Sequence, residues 1–540
     1  MSAKPQTEEV SWAIEEFAQV SLGDDRLNRR CQKLADAFGQ QPTAPINQAC
    51  EDWADSKAAY RFIDNPKVTP GELLAPHSQR TVERMKGHKV VLAVQDTTFF
   101  NYTHHPETQG LGEIGTKGQN QRGFGLHSTL AVTPNGQPLG VLTQEFVERP
   151  LGEPAHTPNE MRKLPIEDKE SYRWLQAFEK TIELTPAGIQ VVTVCDREAD
   201  IYEMFVMAEE RQASLLVRAD ANRCLQDDEI KHLWSKVEQQ PVQGELTVRI
   251  TGNDKRKERQ ATVSIRYCTL RLRPPWRPGQ KKLPAVKLQA IFVREEHPPA
   301  NLAELGDHEP IEWLLLTNTP VTTFTEAVQV VAWYCCRWQI EVLHKIIKSG
   351  CGVENSRLQT ATRLQNYIAL MCVVAWRLHW LTYINRTAPD LPCTHILTTV
   401  EWQALYMRIH KTSAFPKSLP TVRQAVHWIA QLGGFLGRKA DGEPGITAIW
   451  RGWQRLQDLA ATWQVVVTEH PQLVGTDSSS RRCGAWFRWP PPVSSGWPAC
   501  RPGLSAPARG PRTSTPKTSA ASLPATSSSS PCSSPWCPGR

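Results

Sequence analysis

Two apolar runs in this sequence each end in an aspartate. The run HKVVLAVQD ends at Asp96, and the run IQVVTVCD ends at Asp196. If both runs are neighbouring strands, their carboxylates face one crevice beyond the strand ends, and paired oxygen ligands suit magnesium or manganese. An acid at a strand end is often only a turn residue, so neither aspartate alone is strong evidence.

A third carboxylate, Glu341, lies in a segment that we predict to be one long helix. The segment TEAVQVVAWYCCRWQIEVLHKIIKSG is apolar on most sides and ends at Gly350. Tyr334, Arg337, Glu341 and Lys348 follow each other at intervals of three, four and seven residues, which places them on one helix face. The alternative interpretation is an ordinary amphipathic helix whose polar face meets solvent.

Phosphoryl transfer on a nucleic acid accounts for this combination of residues. Three carboxylates can hold two divalent ions about 4 Å apart, which activate an attacking water or hydroxyl and stabilise the leaving oxygen. Arg337 and Lys348 would bind the anionic phosphates that arrive at such a site. The sequence contains no P-loop lysine motif and no CxxC pair that would provide a rival site.

The order of the predicted elements favours an α/β fold. The Asp96 strand is followed by LHSTLAV and PLGVLTQEFV, and Asn135-Gly136 between them predicts a hairpin. A helix (SYRWLQAFEKTIEL), the Asp196 strand, a second helix (ADIYEMFVMAEE) and a strand (ASLLVRAD) come next. Three strands followed by helix, strand, helix and strand is the order of the ribonuclease-H-like fold, which we predict for a catalytic core over 86–382.

A basic, β-rich insertion interrupts this core at about 221–320. Its segments TVRITG, ATVSIRYCTLRL, VKLQAIFV and EWLLLTN have β character, and residues 245–294 contain thirteen Lys or Arg but three Asp or Glu. We predict that the densest basic cluster is exposed and binds DNA phosphates, with a solvated hairpin as the alternative. This cluster consists of Lys255, Arg256, Lys257 and Arg259.

Helical regions flank the core. Residues 10–85 carry apolar side chains at helical spacing, whereas Arg26 and Arg29 lie on the other helix faces. Residues 383–470 also have helical periodicity. The apolar stretch NYIALMCVVAWRLHWL contains Arg377 and has the length of a buried core helix, so we do not expect it to span a membrane.

The net charge of +7 does not by itself indicate a nucleic-acid partner. The residues after Asp477 contain eight basic side chains and no acid, and subtracting these eight charges leaves −1 for residues 1–477. The segment 475–540 is rich in Pro, Ser and Arg, and we predict that it is disordered. The polar, acidic start and the lack of a spanning apolar run predict a cytoplasmic protein.

Several motifs resemble those of a known family. VCDREADIY around Asp196 and AVQDTTFF around Asp96 are similar to its two aspartate strands, and Tyr334, Arg337, Glu341 and Lys348 match its Y-x2-R-x3-E-x6-K signature. The family is the bacterial DDE transposases of the insertion-sequence-four type, and the Tn-five branch is the most similar. The resemblance runs from about residue 13 to about 465, including LGDDRLNRR, AYRFIDNPKV, AQLGGFLGRK and IWRGWQRLQ.

The resemblance implies a role for each motif residue. Asp96, Asp196 and Glu341 would form a catalytic triad that binds two Mg²⁺ or Mn²⁺ ions, and the other three signature residues would hold DNA phosphates. Trp313 would stack on a base flipped out of the duplex, with Trp338 close to the same base. The basic residues expected to contact DNA in the N-terminal region are Arg26, Arg29 and Arg61.

The implied function is cut-and-paste DNA transposition by a homodimer. Such a protein cuts double-stranded DNA at transposon ends and transfers the 3′ hydroxyls to target DNA, so in a bacterium it would associate with the nucleoid. The C-terminal tail has no counterpart in the family, which leaves a transposition-defective DNA-binding protein or inhibitor as the alternative. The predicted regions are an end-binding domain at 10–85, the catalytic core at 86–382, a dimerisation domain at 383–470 and the disordered tail at 475–540.

Overall fold

The computed structural model describes residues 11–470, apart from several short gaps. The predicted tail at 475–540 lies outside the described residues, as do Lys255 and Arg256 of the basic cluster. The gaps fall at 51, 116–118, 153–156, 227–228, 251–256, 278–281, 307–308 and 439–440.

Within the described residues, five helices precede the sheet, as the periodicity of the N-terminal region predicts. They are α1 (Trp12–Glu16), α2 (Asp25–Gln40), α3 (Ile46–Ala49), α4 (Trp53–Ile63) and α5 (Pro70–Met85). Helix α2 begins where the Asp24 carboxylate accepts a hydrogen bond from the backbone N–H of Arg26, at 2.8 Å. It buries Cys31, Leu34 and Phe38, which recur at helical spacing in the sequence.

The middle of the chain forms a ten-stranded mixed sheet. Its strands are β1 (Val90–Asn101), β2 (Gly112–Glu113), β3 (Arg122–Val132), β4 (Pro138–Val147), β5 (Gln190–Cys195), β6 (Ser214–Arg218), β7 (Gly244–Ile250), β8 (Arg259–Leu272), β9 (Val286–Arg294) and β10 (Glu312–Thr317). The strand order is β2-β3-β1-β5-β6-β10-β9-β8-β7, and β4 also pairs with β3. The chain is therefore α/β, as the order of elements predicts.

The predicted hairpin and the predicted parallel strands are both present. Strands β3 and β4 are antiparallel, and Gly136 in their turn has φ of 83°, a conformation that favours glycine. Strand β1 pairs antiparallel with β3 and parallel with β5, which in turn pairs parallel with β6. The intervening helices are α6 (Pro158–Lys163), α7 (Tyr172–Leu184), α8 (Tyr202–Glu210) and α9 (Leu233–Glu238).

The strands of the predicted insertion continue the core sheet instead of forming a separate unit. Strand β10 pairs antiparallel with β6, with Leu315 opposite Arg218, and β9, β8 and β7 follow outward in order. Without β10, β6 would leave unpaired backbone N–H and C=O groups at a sheet edge. The insertion therefore enlarges the sheet that carries both aspartates.

The segment predicted as one long helix is interrupted. It comprises α10 (Phe324–Cys335), α11 (Trp338–Lys345) and a π-helical turn at Ile346–Gly350. The chain tightens at the first junction, where the N–H of Arg337 donates to the carbonyl of Tyr334 at 2.9 Å. It widens at the second, where the N–H of Cys351 donates to the carbonyl of Ile346 at 2.7 Å. Periodicity alone does not reveal such changes, which are frequent at functional sites.

Four helices complete the described chain: α12 (Ala361–Thr387), α13 (Thr399–His410), α14 (Val422–Leu432) and α15 (Ile446–Glu469). Helix α12 is long and apolar enough to cross a membrane by length and composition alone, but 89% of its most apolar stretch is buried inside the protein. This burial agrees with the predicted core helix. The helix also passes through residue 382, where the sequence analysis ends the catalytic core.

The two faces of the sheet are covered by different helices. Trp174 of α7 and Phe205 of α8 pack with Cys195 on one face. On the other face, Leu343 of α11 belongs to the same hydrophobic cluster as Val94 and Val194. Because side chains alternate along a strand, residues two positions beyond these valines point to the α11 face.

Candidate catalytic site

The two predicted aspartates lie next to each other on neighbouring parallel strands. The last backbone pair of β1 and β5 is Val94 with Val194, and each aspartate follows its valine by two residues. The prediction that Asp96 ends its strand is wrong, because β1 continues to Asn101 with Asp96 paired to Ser128 of β3. Asp96 instead marks the end of the ladder that β1 shares with β5, and Asp196 directly follows β5. Both aspartates therefore lie at the end of the ladder between β1 and β5.

Asp196 is held by the turn that follows it. Its carboxylate accepts a hydrogen bond from the backbone N–H of Glu198 at 3.0 Å and caps the short 3-10 turn Arg197–Ala199. This bond fixes the carboxylate at the end of β5, where it points away from the strand.

Arg337 links Glu341 electrostatically to the two aspartates. The side chains of Arg337 and Glu341 form an ion pair across the first turn of α11. Burial alone would lower the pKa of Arg337, but the charges of Glu341, Tyr334 and both aspartates raise it above its ordinary value. All three predicted carboxylates therefore act electrostatically on a single guanidinium, and Glu341 contacts it directly.

Asp96 is unusually hard to ionise. Burial, together with the charges of Asp196 and Glu341, raises its pKa to about 7 against the opposing effect of Arg337. Perturbed carboxyl groups of this kind cluster at functional sites. The three carboxylates thus repel one another, and the cluster would be stabilised by additional positive charge.

The donor set has the chemistry of a divalent-metal site. Across the described residues, no three His, Cys, Asp or Glu side chains stand close enough together to hold an ion as they are arranged. The residues nevertheless fit the ion, because carboxylate oxygens are the ligands that magnesium and manganese prefer. A bound cation would also offset the mutual repulsion that raises the pKa of Asp96.

His344 is a site residue that the sequence analysis missed. Its Nδ1 lies 3.7 Å from the Oδ2 of Asp96. Burial, with Lys348 and Arg337 nearby, lowers the pKa of His344 to about 3, so the imidazole is neutral and forms no ion pair with Asp96. The sequence signal that could have identified His344 is its position three residues after Glu341, on the same side of a helix.

The remaining signature residues also converge, although they lie in three segments and not in one helix. Tyr334, in the last turn of α10, packs against Trp313 of β10, with ring centroids 5.4 Å apart in an edge-to-face arrangement. Lys348 lies in the π-helical turn, and its Nζ stands 5.6 Å from the ring centroid of Phe100 on β1. Burial lowers the pKa of Lys348.

A cavity of about 620 Å³ opens beside the carboxylates. Trp313 and Trp338 both line it, so the structure brings the two predicted base-stacking tryptophans together. Trp338 is 44% exposed, which is unusual for such a large apolar side chain and leaves its ring available to a ligand. The basic residues in the cavity wall are Arg197, Arg218, Arg249, Arg259 and Arg337.

The basic residues predicted in the N-terminal region lie on the helices that precede the sheet. Arg26 and Arg29 are exposed on α2, and Arg61 is exposed on α4. The Nε of Arg29 donates to the carbonyl of Asp25 at 3.3 Å. None of the three is among the residues that line the cavity.

Within the predicted basic cluster, the two described residues differ. Lys257 is exposed, whereas Arg259 is only 9% exposed and forms a two-pronged ion pair with Glu295 at 2.5 and 3.0 Å. The prediction that Arg259 is exposed is wrong. Arg259 begins β8 and Glu295 follows β9, and the antiparallel pairing of these strands brings the two side chains together inside the sheet region.

Three family models match three parts of the chain, in order from the N-terminal to the C-terminal side. They are a transposase DNA-binding model over residues 9–68, a transposase DDE domain over 176–377 and a transposase Tn5 dimerisation domain over 373–464. The DDE match includes Asp196, Glu341 and the cavity tryptophans, while the strand with Asp96 precedes it. DDE transposases cleave and transfer DNA, and domains of this family generally use divalent metal ions. Since DNA-binding, catalytic and dimerisation matches follow one another along one chain whose carboxylates converge, the chain belongs to the Tn5-like DDE transposases.

Proposed function

We propose that this chain is a cut-and-paste DNA transposase whose catalytic residues are Asp96, Asp196 and Glu341. The observation that carries the proposal is the convergence of these three carboxylates on Arg337, at the end of the ladder between β1 and β5. A purely structural acidic group would be paired off by separate cations, whereas here burial and the charges of two acidic neighbours together raise the pKa of Asp96.

The order of strands supports a ribonuclease-H-like core. Strands β4, β3 and β1 are antiparallel neighbours, and β5 and β6 extend the sheet parallel to β1. Helices α7 and α8 follow β4 and β5 in the chain. This is the succession that the sequence analysis assigns to that fold, and the strands β7–β10 would be an elaboration on its edge.

The carboxylates would hold two Mg²⁺ or Mn²⁺ ions. When bound, such ions lower the barrier to attack on a phosphodiester by activating water or a 3′ hydroxyl and stabilising the leaving oxygen. Asp96 would lose its proton on binding, because a nearby cation favours the carboxylate form. Arg337, now paired with Glu341, and Lys348 would hold DNA phosphates beside the reacting bond, with Tyr334 shaping the wall between them.

The cavity beside the carboxylates would accept a base flipped out of the duplex. Trp313 and Trp338 line it and offer ring faces or edges for stacking, and the surrounding arginines attract the attached phosphates. In this proposal, the cut DNA end folds into a hairpin as an intermediate of cut-and-paste transposition. Flipping one base out of the duplex relieves the strain in that hairpin.

The flanking helices would bind the transposon ends and pair two copies of the protein. Arg26, Arg29 and Arg61 are exposed on the N-terminal helices that the DNA-binding model matches. Lys257 would add a phosphate contact from the sheet edge, whereas Arg259 is committed to Glu295. The protein would work in the cytoplasm, on the nucleoid when DNA-bound.

Cleavage of the element's own ends by the purified full-length protein tests the proposal. With magnesium, the parent protein should cut the ends and join the 3′ hydroxyls to a target. Variants Asp96→Ala, Asp196→Ala and Glu341→Ala should retain end binding in a gel-shift assay but lose cleavage. Equal cutting by the parent and these variants would remove the three carboxylates from the reaction.

The acid-free, basic C-terminal tail favours a second candidate function, a transposition-defective DNA-binding protein or inhibitor. In that case the full-length protein should bind ends without cutting them and should block cutting by an active relative. A variant that ends at residue 470 keeps every described helix and should then recover cleavage if the tail is the cause. Cutting by the full-length chain excludes this candidate.

A further inference from the structure

Arg173, the second residue of α7, connects the two strand ends that carry the aspartates. It is only 9% exposed, and a guanidinium this buried needs partners for its donors. Its Nε donates to the Oγ1 of Thr97 at 3.1 Å, and its Nη2 lies 3.1 Å from the Oε2 of Glu198. A third donor, Nη1, bonds to the carbonyl of Glu170 at 2.8 Å and so fixes the guanidinium to the start of its own helix.

Each of these partners is adjacent to an aspartate. Thr97 follows Asp96, and the backbone N–H of Glu198 donates to the carboxylate of Asp196 at 3.0 Å. Because side chains alternate along β1, Thr97 points away from the face on which Asp96 meets α11. Arg173 therefore acts from the opposite face of the sheet and does not touch the carboxylates themselves.

The contact with Thr97 belongs to a directional chain of hydrogen bonds. The Oγ1 of Thr97 also lies 2.9 Å from the Nδ1 of His127, which is fully buried against Trp174. Burial, assisted by the charge of Arg173, holds the pKa of His127 well below its ordinary range, so this imidazole is neutral. The Nε2 of His127 faces the Oε1 of Gln95 at 3.4 Å, which places the imidazole proton on Nε2 and leaves Nδ1 as an acceptor. Thr97 thus accepts from Arg173 and donates to His127, which fixes its hydroxyl in one orientation.

No backbone pairing holds β1 and β5 together at this level. Their ladder ends at Val94 and Val194, so the separation of the two aspartates is not set by the sheet itself. Repulsion between the carboxylates would push the two strand ends apart. The guanidinium of Arg173 lies across this gap and contacts both sides.

We propose that Arg173 is a positioning residue that fixes the separation of Asp96 and Asp196 by joining Thr97 to Glu198. The inference rests on the proposed function, in which those two aspartates hold divalent ions. Groups that orient metal ligands typically contribute about 10- to 100-fold to metal affinity. Arg173 would act in this way although it is neither a ligand nor a contact of DNA.

Manganese binding to the full-length protein tests the proposal without reference to activity. The signal of free Mn²⁺ in electron paramagnetic resonance gives the bound fraction directly. Arg173→Met should raise the half-saturating Mn²⁺ concentration by about 10- to 100-fold. The matched control is Lys180→Met, which removes a 2.7 Å ion pair with Glu145 from the same helix but touches neither strand end.

Two further variants separate positioning from simple packing. Arg173→Lys keeps the charge but loses the fork that spans two partners, and Glu198→Gln removes only one partner's charge. Both should give intermediate Mn²⁺ affinities, with metal-free end binding unchanged. If Arg173→Met does not fold by circular dichroism, these two variants decide the question. Parental Mn²⁺ affinity in every folded Arg173 and Glu198 variant overturns the proposal.

The variant Asp196→Asn shows whether a negative result refutes the role of Arg173 or the proposed function on which it rests. If Asp196→Asn does not weaken Mn²⁺ binding, the aspartates are not the metal site and the proposed function fails. If Asp196→Asn weakens binding but Arg173→Met and Glu198→Gln do not, the metal site stands and only the role of Arg173 is refuted.

Discussion

Asp96 and Asp196 occupy equivalent positions on neighbouring parallel strands, each two residues beyond the last backbone pair, Val94 with Val194. The geometry places two carboxylates side by side where the sheet opens, beyond the end of the ladder that joins β1 to β5. Burial, together with the like charges of Asp196 and Glu341, raises the pKa of Asp96 to about 7.

This raised pKa predicts that the metal-free protein loses stability as the pH rises. The folded state holds a proton on Asp96 up to about pH 7, whereas the unfolded chain releases it near the ordinary value of 3.8, so the folded state binds more protons in between. Asp96→Asn removes this effect. In chelator, the variant should be more stable than the parent by about 2–4 kcal/mol at pH 8 and equal to it near pH 4, as measured by denaturant unfolding.

Manganese provides the control for this prediction. Added Mn²⁺ should stabilise the parent at pH 8 and should stabilise Asp96→Asn far less, because the amide is a poorer ligand than a carboxylate. A parent protein whose stability in chelator does not change between pH 4 and pH 8 would contradict the raised pKa.

The cavity tryptophans should be needed for base flipping. Stacking on an aromatic ring is worth about 1–3 kcal/mol per base, so Trp313→Ala should weaken capture of a flipped base by roughly 5- to 150-fold. The fluorescence of 2-aminopurine placed near the cut site reports flipping, and hairpin yield reports its consequence. Trp276→Ala is the matched control, because Trp276 is 85% exposed and lies outside the cavity wall. Equal fluorescence in both variants would assign the cavity another role.

The sequence was sufficient to predict much of the fold and of the candidate site. Continuous apolar runs predicted the strands that carry Asp96 and Asp196, and signature spacing led to Glu341. Periodicity could not show that β1 continues past Asp96, since this depends on its pairing with β3. Nor could it show the tight turn at Arg337, because local hydrogen bonds break the helix without a Pro or Gly. The role of Arg173 depends on contacts between segments far apart in sequence, which spacing does not contain.

Replacing Arg259 should lower the stability of the protein, whereas replacing Lys257 should not. Arg259→Met leaves Glu295, which is 3% exposed, without its guanidinium, and breaking a buried pair in this way costs about 3–5 kcal/mol of unfolding free energy. Lys257→Met should leave stability unchanged, because the side chain is exposed.

DNA binding provides the second half of this comparison. If Lys257 contacts a phosphate, Lys257→Met should flatten the dependence of log affinity on log salt by about 0.9, equally for all sequences. Affinities measured between low and moderate salt give this slope. An unchanged slope would leave Lys257 on a solvated surface, and a stable Arg259→Met variant would contradict the buried ion pair.

A buried ionic network around Glu16 joins helix α1 to helix α5. Its carboxylate pairs with His77, at 2.5 Å, and with Arg84, at 3.0 Å. Burial alone would raise the pKa of Glu16, but Arg84 and His77 lower it to about 2. Because the unfolded chain binds a proton near 4.5, this carboxylate stabilises the fold above that pH and loses its contribution as the pH falls towards 2. We therefore expect Glu16→Gln to lower the free energy of unfolding at pH 7 by about 3–5 kcal/mol, with the difference from the parent shrinking below pH 4. Denaturant titrations at pH 7 and pH 3 measure both values, and a difference that does not depend on pH would show that Glu16 acts through packing instead of charge.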